Sequence, residues 1–436
     1  MRKVKFEIAD FDKITPGGQA IGALESGKKI FAWGVLPGET AKVQLTKTKS
    51  SFVEGFAVET IKASPERIEP KDDISYLSTS PWQIMNFEYE QKLKQELICE
   101  SFRQEKIDLK PSDSFFTDSN IFGYRNKIEF SFWWEKSAQN ENEGQLNLAF
   151  FRRGGRGKIA VKNTSLAKDC INLAGERVLE LLQERKISSR DLKTLLIRCD
   201  QNNNIAAQLY VKEENFEIFS NEEVSAFDFQ KFEIIFSNLK SPASVITKVL
   251  ATYGKETLSD TILGIDFNYA TEGFFQINLP VYEQSLSDMA RFIDPKKPTV
   301  DLYSGVGSIG LTIGKNNLTM VEINPFAVDE MKRNIKSLGK EEYTKAILAP
   351  SEKALEYIST DSNLIVDPPR AGMDKKVCQK ILESEPSRII YLSCNPATQA
   401  RDTALLSQKY KITYTRGYNF FPRTPHIENL LVLDLK

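Results

Sequence analysis

From about residue 266 onward the sequence repeats one rhythm: a short apolar run, a turn, then a helical pattern, with runs at 299–303, 318–323, 346–349, 363–367 and 388–393. Strands alternating with helices at this spacing build a doubly wound parallel sheet, and such sheets bind their ligands outside the carboxyl ends of the strands. The chemistry is therefore expected at those strand ends. The first of them runs into Asp301-Leu302-Tyr303-Ser304-Gly305-Val306-Gly307-Ser308-Ile309-Gly310, a G-x-G-x-x-G between a strand and a helix. Glycines there let the backbone approach a ligand at a helix N-terminus. The second strand ends at Glu322, twelve residues beyond Gly310, where a carboxylate can accept hydrogen bonds from ribose hydroxyls. NAD and S-adenosylmethionine both satisfy this spacing.

The later strand ends carry more reactive residues. Asp367-Pro368-Pro369-Arg370 closes the fourth strand, and its two prolines stiffen the backbone that holds the carboxylate. Nucleotide-modifying methyltransferases often carry an acid and Pro-Pro here; an aromatic next would point to amino-group methylation, and Arg370 stands in its place. The fifth strand ends in Ser393-Cys394-Asn395-Pro396. Asn395 is a good N-cap and Pro396 a good first helical residue, so Cys394 precedes a helix N-terminus whose dipole is expected to favour thiolate. Cys99, Cys199 and Cys378 read as core residues. A late loop, Phe421-Pro422-Arg423-Thr424-Pro425-His426-Ile427-Glu428-Asn429, brings His426 and Glu428 together before a last apolar strand. The company of Cys394 makes Glu428 a candidate base.

Scarcity narrows the chemistry further. Five cysteines without a C-x-x-C pair argue against a zinc ribbon, a local iron–sulfur run and a disulfide scaffold. With His426 the only histidine, no His-rich metal site can form, and any Ser-His or Cys-His system would have to converge on that residue.

Residues 4–62 read as five short strands of a small OB-like barrel, with ten basic against seven acidic residues in 1–62. Ser64-Pro65 and Glu69-Pro70 punctuate a linker, and 87–107 has a helical pattern. The stretch from 110 to 265 alternates β-rich runs with a helix near 173–186, an α+β arrangement. Two of its segments, Tyr124-Arg125-Asn126-Lys127 and Phe150-Phe151-Arg152-Arg153-Gly154-Gly155-Arg156-Gly157-Lys158, set cations beside aromatics, as single-stranded RNA binding requires. The expected organisation is a multidomain α/β chain: a β-barrel over 1–66, a central α+β RNA-binding domain over 67–265, and a Rossmann-like domain over 266–436. The net charge of -1 leaves any attraction to a polyanion to such local patches. No run approaches a membrane span and the polar start lacks a signal segment, so a cytoplasmic protein without membrane or protein partners is expected.

Together these residues resemble the RNA (uracil-C5) methyltransferase family, in its branch with an N-terminal TRAM barrel. Gly17-Gly18 and Leu36-Pro37-Gly38-Glu39 match the barrel pattern, Phe274-Phe275-Gln276-Ile277-Asn278 the segment before the sheet, and 301–307, 367–370, 393–396 and 421–428 the catalytic motifs. The resemblance implies that Gln276, Tyr303, Gly305, Gly307, Glu322 and Asp367 hold S-adenosylmethionine. It further implies that Cys394 is the nucleophile toward C6 of uracil and Glu428 the base, with the helix near 87–107 packed on the catalytic domain. Arg125, Lys127, Arg152, Arg153 and Phe274 are the expected RNA contacts. Many family members hold a [4Fe–4S] cluster on a cysteine run that 69–91 lacks; only Cys170 could echo its fourth ligand, and neither a cluster nor a metal is expected. The barrel favours 23S ribosomal RNA over tRNA as the structured RNA substrate. An NAD-dependent oxidoreductase, which leaves Cys394 and Glu428 without roles, and a non-catalytic RNA-binding protein, which needs no cofactor strands, are the rival readings.

Overall fold

The computed structural model describes residues 4–73, 75–136, 144–155, 157–254 and 257–436. Strands β1 (Phe6–Ile14), β2 (Ala20–Ala23), β3 (Lys29–Trp33), β4 (Thr40–Thr48) and β5 (Phe52–Lys62) form a closed barrel in the order β1-β2-β3-β5-β4. Its walls approach so closely that a Cβ on Gly22 would lie 2.0 Å from the Asp10 carbonyl oxygen. The Leu36–Glu39 turn buries its acid: Glu39 accepts from the Leu36 amide at 2.8 Å, the Ser64 amide at 3.1 Å and the Arg67 guanidinium at 2.6 Å. That ion pair clasps the chain where it leaves the barrel.

Helix α1 (Tyr76–Thr79) precedes α2 (Phe87–Gln104), which Asn86 caps by accepting from the Glu88 and Tyr89 amides. The central sheet comprises β6 (Lys127–Lys136), β7 (Gly144–Phe151), β8 (Lys158–Val161), β9 (Leu192–Cys199), β10 (Ile205–Val211), β11 (Lys231–Phe236) and β12 (Lys248–Gly254). Their order is β12-β11-β10-β9-β6-β7-β8, with β10 and β11 parallel. Helix α3 (Asp169–Glu184) lays Ile171, Ala174, Val178 and Leu182 on one face, and the short α4 (Asn221–Ser225) precedes β11.

A hairpin, β13 (Leu258–Ile262) and β14 (Ile265–Tyr269), leads to α5 (Leu279–Ala290) and the last sheet. That sheet holds β15 (Thr299–Leu302), β16 (Leu318–Glu322), β17 (Thr344–Leu348), β18 (Asn363–Val366), β19 (Arg388–Ser393), β20 (Tyr410–Tyr418) and β21 (Glu428–Leu435). Helices α6 (Ser308–Ile313), α7 (Pro325–Ser337), α8 (Lys375–Ser384) and α9 (Pro396–Leu406) alternate with its strands. The order is β17-β16-β15-β18-β19-β21-β20, parallel from β17 to β19, with β21 antiparallel to both neighbours. The chain departs from β15 first to one side and later to the other, so a crevice opens over the ends of β15, β16 and β18.

Tertiary packing redraws one expected boundary. The division at 265/266 runs through the β13–β14 hairpin, whose Leu258, Ile262, Phe267 and Tyr269 share a core with Leu318 and Met320. Helix α2 packs on the last sheet as expected, sending Leu93, Leu97, Ile98 and Phe102 into a core with Ile389 and Leu431.

Candidate active site

Asp301 at the end of β15 is fully buried; its Oδ2 accepts from the Gly310 amide at 3.0 Å, while Oδ1 has no partner. Burial pushes its carboxyl up to about 8. The Ser304 hydroxyl donates to the Asp301 carbonyl at 2.6 Å and accepts from the Val321 amide at 3.0 Å, tying β15 to β16. Tyr303 has φ 65, costly for a residue with a Cβ. Its ring packs against the core shared with α8, and burial raises the phenol to about 12.

The glycines divide the work. Gly305 (φ 56) makes the turn, with open space where a Cβ would stand. A Cβ on Gly310 would lie 2.9 Å from Asp301 Oδ2, so that glycine serves helix-to-strand packing. Glu322 spans the crevice, accepting from the Gly305 amide at 2.9 Å and the Asn324 amide at 2.8 Å. Beyond it Ile323 and Phe326 stand exposed. The Tyr282 hydroxyl meets the Ser308 hydroxyl at 2.7 Å, which ties α5 to the start of α6, and the segment before α5 carries Gln276. Arg198, on the central sheet, holds that segment through the Gly273 carbonyl at 2.8 Å, and Asn126 through the Gln276 carbonyl at 3.1 Å. Phe274 is left exposed.

Cys394 and Glu428 are brought together by strand register. Ser393 of β19 pairs with Asn429 of β21, so in an antiparallel pair the next residue on one strand faces the preceding residue on the other. Asn395 caps α9 by accepting from the Ala397 amide at 3.2 Å, while its amide group donates to the Arg370 carbonyl at 2.8 Å. This pins the turn after β18 against the start of α9. Arg370 Nη2 then lies 2.9 Å from His426 Nδ1. Cys394, Arg370, Asn395 and His426 line a cavity of about 320 Å3 together with Gly17 of the barrel and Leu97 of α2.

Electrostatics corrects the expected thiolate. Burial pushes Cys394 up to about 12, the Glu428 and Asp367 carboxyls add to the shift, and Arg370 opposes it. Cys394 lies outside the first helical turn, where the dipole is strongest. Burial likewise raises Glu428 well above the carboxylate range, with Asp367 adding and Arg370 opposing, and raises Asp367 to about 7. His426 is pushed down to about 3 by burial and the neighbouring cations; a ring of such low basicity is a poor base.

The expected RNA contacts divide by environment. Arg152 is exposed, and Arg156 lies outside the described residues. Arg153 instead donates to the Leu77 carbonyl at 2.6 Å and stacks 4.4 Å over the Trp33 ring, joining the β7–β8 hairpin to the barrel. Lys127 donates to the Glu272 carbonyl at 3.2 Å, and burial pulls it down to about 8. Arg125 is half-buried beside the Tyr124 ring at 6.0 Å. Cys170 neighbours Cys199 and contacts Asn203 Oδ1 at 3.6 Å. Among the described residues no group of three or more His, Cys, Asp and Glu could hold a metal ion.

Three contributors carry no signal of their role in the residue order. Asp301 stood inside the quoted motif without a role. The Arg370–His426 contact joins segments 56 residues apart. Glu90 and Lys94 are an i,i+4 pair, a spacing that in an isolated helix signals a solvated face.

The family model for tRNA (uracil-5-)-methyltransferase matches residues 88–436. An uncharacterized RNA methyltransferase of Fusobacterium nucleatum is 27% identical, covering 98% of this chain and 95% of its own. Another, of Caldanaerobacter subterraneus, is 26% identical over 99% of this chain and 98% of its own. The solved structure of Pyrococcus abyssi tRNA (uracil-54, C5)-methyltransferase in complex with S-adenosyl-L-homocysteine superposes with a TM-score of 0.76 at 22% identity, covering 98% of this chain and 100% of that one, which shows a shared fold. The oxidoreductase and non-catalytic readings fall with the family match. On that match over most of its length, the chain belongs to the tRNA (uracil-5-)-methyltransferase family and is an S-adenosylmethionine-dependent RNA methyltransferase acting at C5 of uracil.

Proposed function

We propose that the enzyme methylates uridine through a covalent adduct, with Cys394 as nucleophile and Glu428 as base. The observation that carries this reading is the register that seats Glu428 beside Cys394, which itself lines a cavity. Cys394 first gives up its proton to solvent, its thiolate Sγ then bonds to C6, and the C5=C6 electron pair moves toward C5 and the C4 carbonyl as an enolate. S-adenosylmethionine, when bound, supplies an electrophilic methyl group to C5. Glu428 then takes the C5 proton, the double bond re-forms, and Sγ leaves.

The crevice fits that cofactor. The open side of Gly305 leaves room for close approach, and the Glu322 carboxylate can exchange its two backbone donors for ribose hydroxyls. Gly307, Gln276 and Asp367 complete the assigned set, while Tyr303, its ring turned into the core, contributes the backbone of the turn. We assign no cluster, so stoichiometric iron in protein purified without oxygen would contradict the reading.

The raised Cys394 has a kinetic consequence. A thiol that keeps its proton at neutral pH gains thiolate tenfold per pH unit, and Glu428 acts only after the methyl group has moved. Methyl transfer should therefore climb with near-unit slope from about pH 6 to about pH 9. A plateau reached below neutrality would contradict it.

The substrate we propose is structured RNA, reached in the cytoplasm, with the target base turned out of its stack into the Cys394 cavity. Arg152, exposed on the hairpin tip, is assigned to phosphate. Arg152→Ala should lower the log–log salt slope of RNA binding by about 0.7, the value for one single-strand contact. Arg153→Ala should instead loosen the hairpin from the barrel, so an unchanged slope for Arg152→Ala would remove that assignment. For the RNA itself, 23S ribosomal RNA is the first reading, from the barrel. The second is tRNA: the tRNA-named Pyrococcus abyssi enzyme covers 98% of this chain, so a barrel does not by itself separate the two. Mapping 5-methyluridine in ribosomal RNA and tRNA from cells with and without the gene decides, and no lost methyl group in either would refute the function.

A further inference from the structure

We infer that His426 presents a fixed Nε2–H donor to the Cys394 cavity and uses it to recognise a carbonyl oxygen of the target uracil. The inference rests on the reading that the base sits against Cys394. A guanidinium can only donate hydrogen bonds. With Arg370 Nη2 at 2.9 Å from His426 Nδ1, Nδ1 must offer its lone pair, and the proton of the neutral ring must sit on Nε2. The ring is held from several sides. It meets the Phe421 ring edge-on at 5.5 Å, and the His426 amide donates to the Thr424 hydroxyl at 3.3 Å. The preceding Pro425 packs on Gly18, where a Cβ would lie 2.4 Å from it.

The charged groups that bear on the ring are cations from four different segments: Arg370 after β18, Arg125 before β6, Lys94 on α2 and Arg153 on the hairpin. The Glu428 and Asp367 carboxyls bear on Cys394, the neighbouring group of the cavity. Burial and the four cations keep the ring neutral, so the tautomer set by Arg370 persists at physiological pH. Uracil presents two carbonyl acceptors at its edge, and addition at C6 drives negative charge onto the C4 carbonyl. A preset donor there favours uracil over a base with an amino group at that position, and strengthens as the enolate forms.

One histidine in the chain makes the test clean. The full-length protein labelled with 15N-histidine should show one neutral imidazole with the Nε2–H tautomer and no titration from about pH 5 to about pH 8. Arg370→Ala should release the tautomer and move the titration toward the ordinary histidine range. In methyl transfer to total RNA from cells lacking the gene, His426→Ala should lose about tenfold, the worth of one hydrogen bond, at limiting RNA. His426→Gln, whose amide can both accept from Arg370 and donate to the base, should restore most of it. A charged ring, an Nδ1–H tautomer, or wild-type rates in His426→Ala would overturn the inference. Failure of the function itself would appear differently, as no methyl transfer by the wild-type enzyme while the tautomer result stands.

Discussion

Glu428→Gln is expected to stop the enzyme one step late, as a protein–RNA adduct that already carries the new methyl group. The carboxyl lies at the start of β21, 6% exposed, beside Cys394, where the role proposed for it is to accept the C5 proton after methylation. The amide is nearly isosteric and cannot take that proton, so addition and methylation proceed while elimination fails. Denaturing electrophoresis with a labelled methyl donor should show a shifted, labelled band. The band should vanish in the double variant with Cys394→Ala, and Cys394→Ala alone should yield neither adduct nor product. His426→Ala is the control, and it should slow turnover without trapping. Near wild-type turnover in Glu428→Gln, or a labelled adduct in His426→Ala, would reassign the base.

The second large effect is on stability. Glu90 and Lys94 on α2 are both fully buried and paired at 2.9 Å. Glu90 also accepts from the Asn419 side chain at 3.1 Å and the Arg423 amide at 3.0 Å. Lys94 donates to Asn419 Oδ1 at 2.7 Å and the Phe421 carbonyl at 3.1 Å. This network ties α2 to the loop that leads to His426 and Glu428. Burial pulls the Lys94 ammonium below its ordinary value, Glu90 opposes that shift, and the nearby Arg423 adds to it. Glu90→Ala leaves a buried cation without its partner and should cost about 3 to 5 kcal/mol, whereas an apolar pair of similar volume should cost far less. Urea unfolding should show a lowered midpoint for Glu90→Ala and substantial recovery in Glu90→Leu with Lys94→Met. An unchanged midpoint in the single variant would mean that water or rearrangement relieves the charge.

Several parts of the molecule were legible in the residue order because local physics decides them. Apolar runs followed by turns and helical patterns located the five parallel strands, although β17 begins at Thr344, two residues before the expected start. The cap-forming pair Asn395-Pro396 marked the start of α9, and glycine and acid at 301–322 marked the crevice. The barrel was visible in strand length and turn spacing. These features depend on neighbours within a few residues, and pattern carries that information.

Other decisions belong to tertiary packing. The placement of Glu428 beside Cys394 depends on the β19–β21 register, a pairing of segments with a helix and a strand between them. The same holds for α2, whose Glu90 and Lys94 are buried only because the loop at Asn419–Arg423 packs over them, and for Arg153, a cation whose place on Trp33 depends on where the barrel docks. The proton on Cys394 shows the difference most directly. Residue order put the thiol before a helix N-terminus, which favours thiolate, and only the assembled site showed that burial and two neighbouring carboxyls outweigh that dipole. The residue types able to react, and their places at the strand ends, are therefore set by the sequence alone. Their protonation, pairing and mutual distance were decided by tertiary structure, because desolvation and Coulomb energy depend on what surrounds a group in space and not on what adjoins it along the chain.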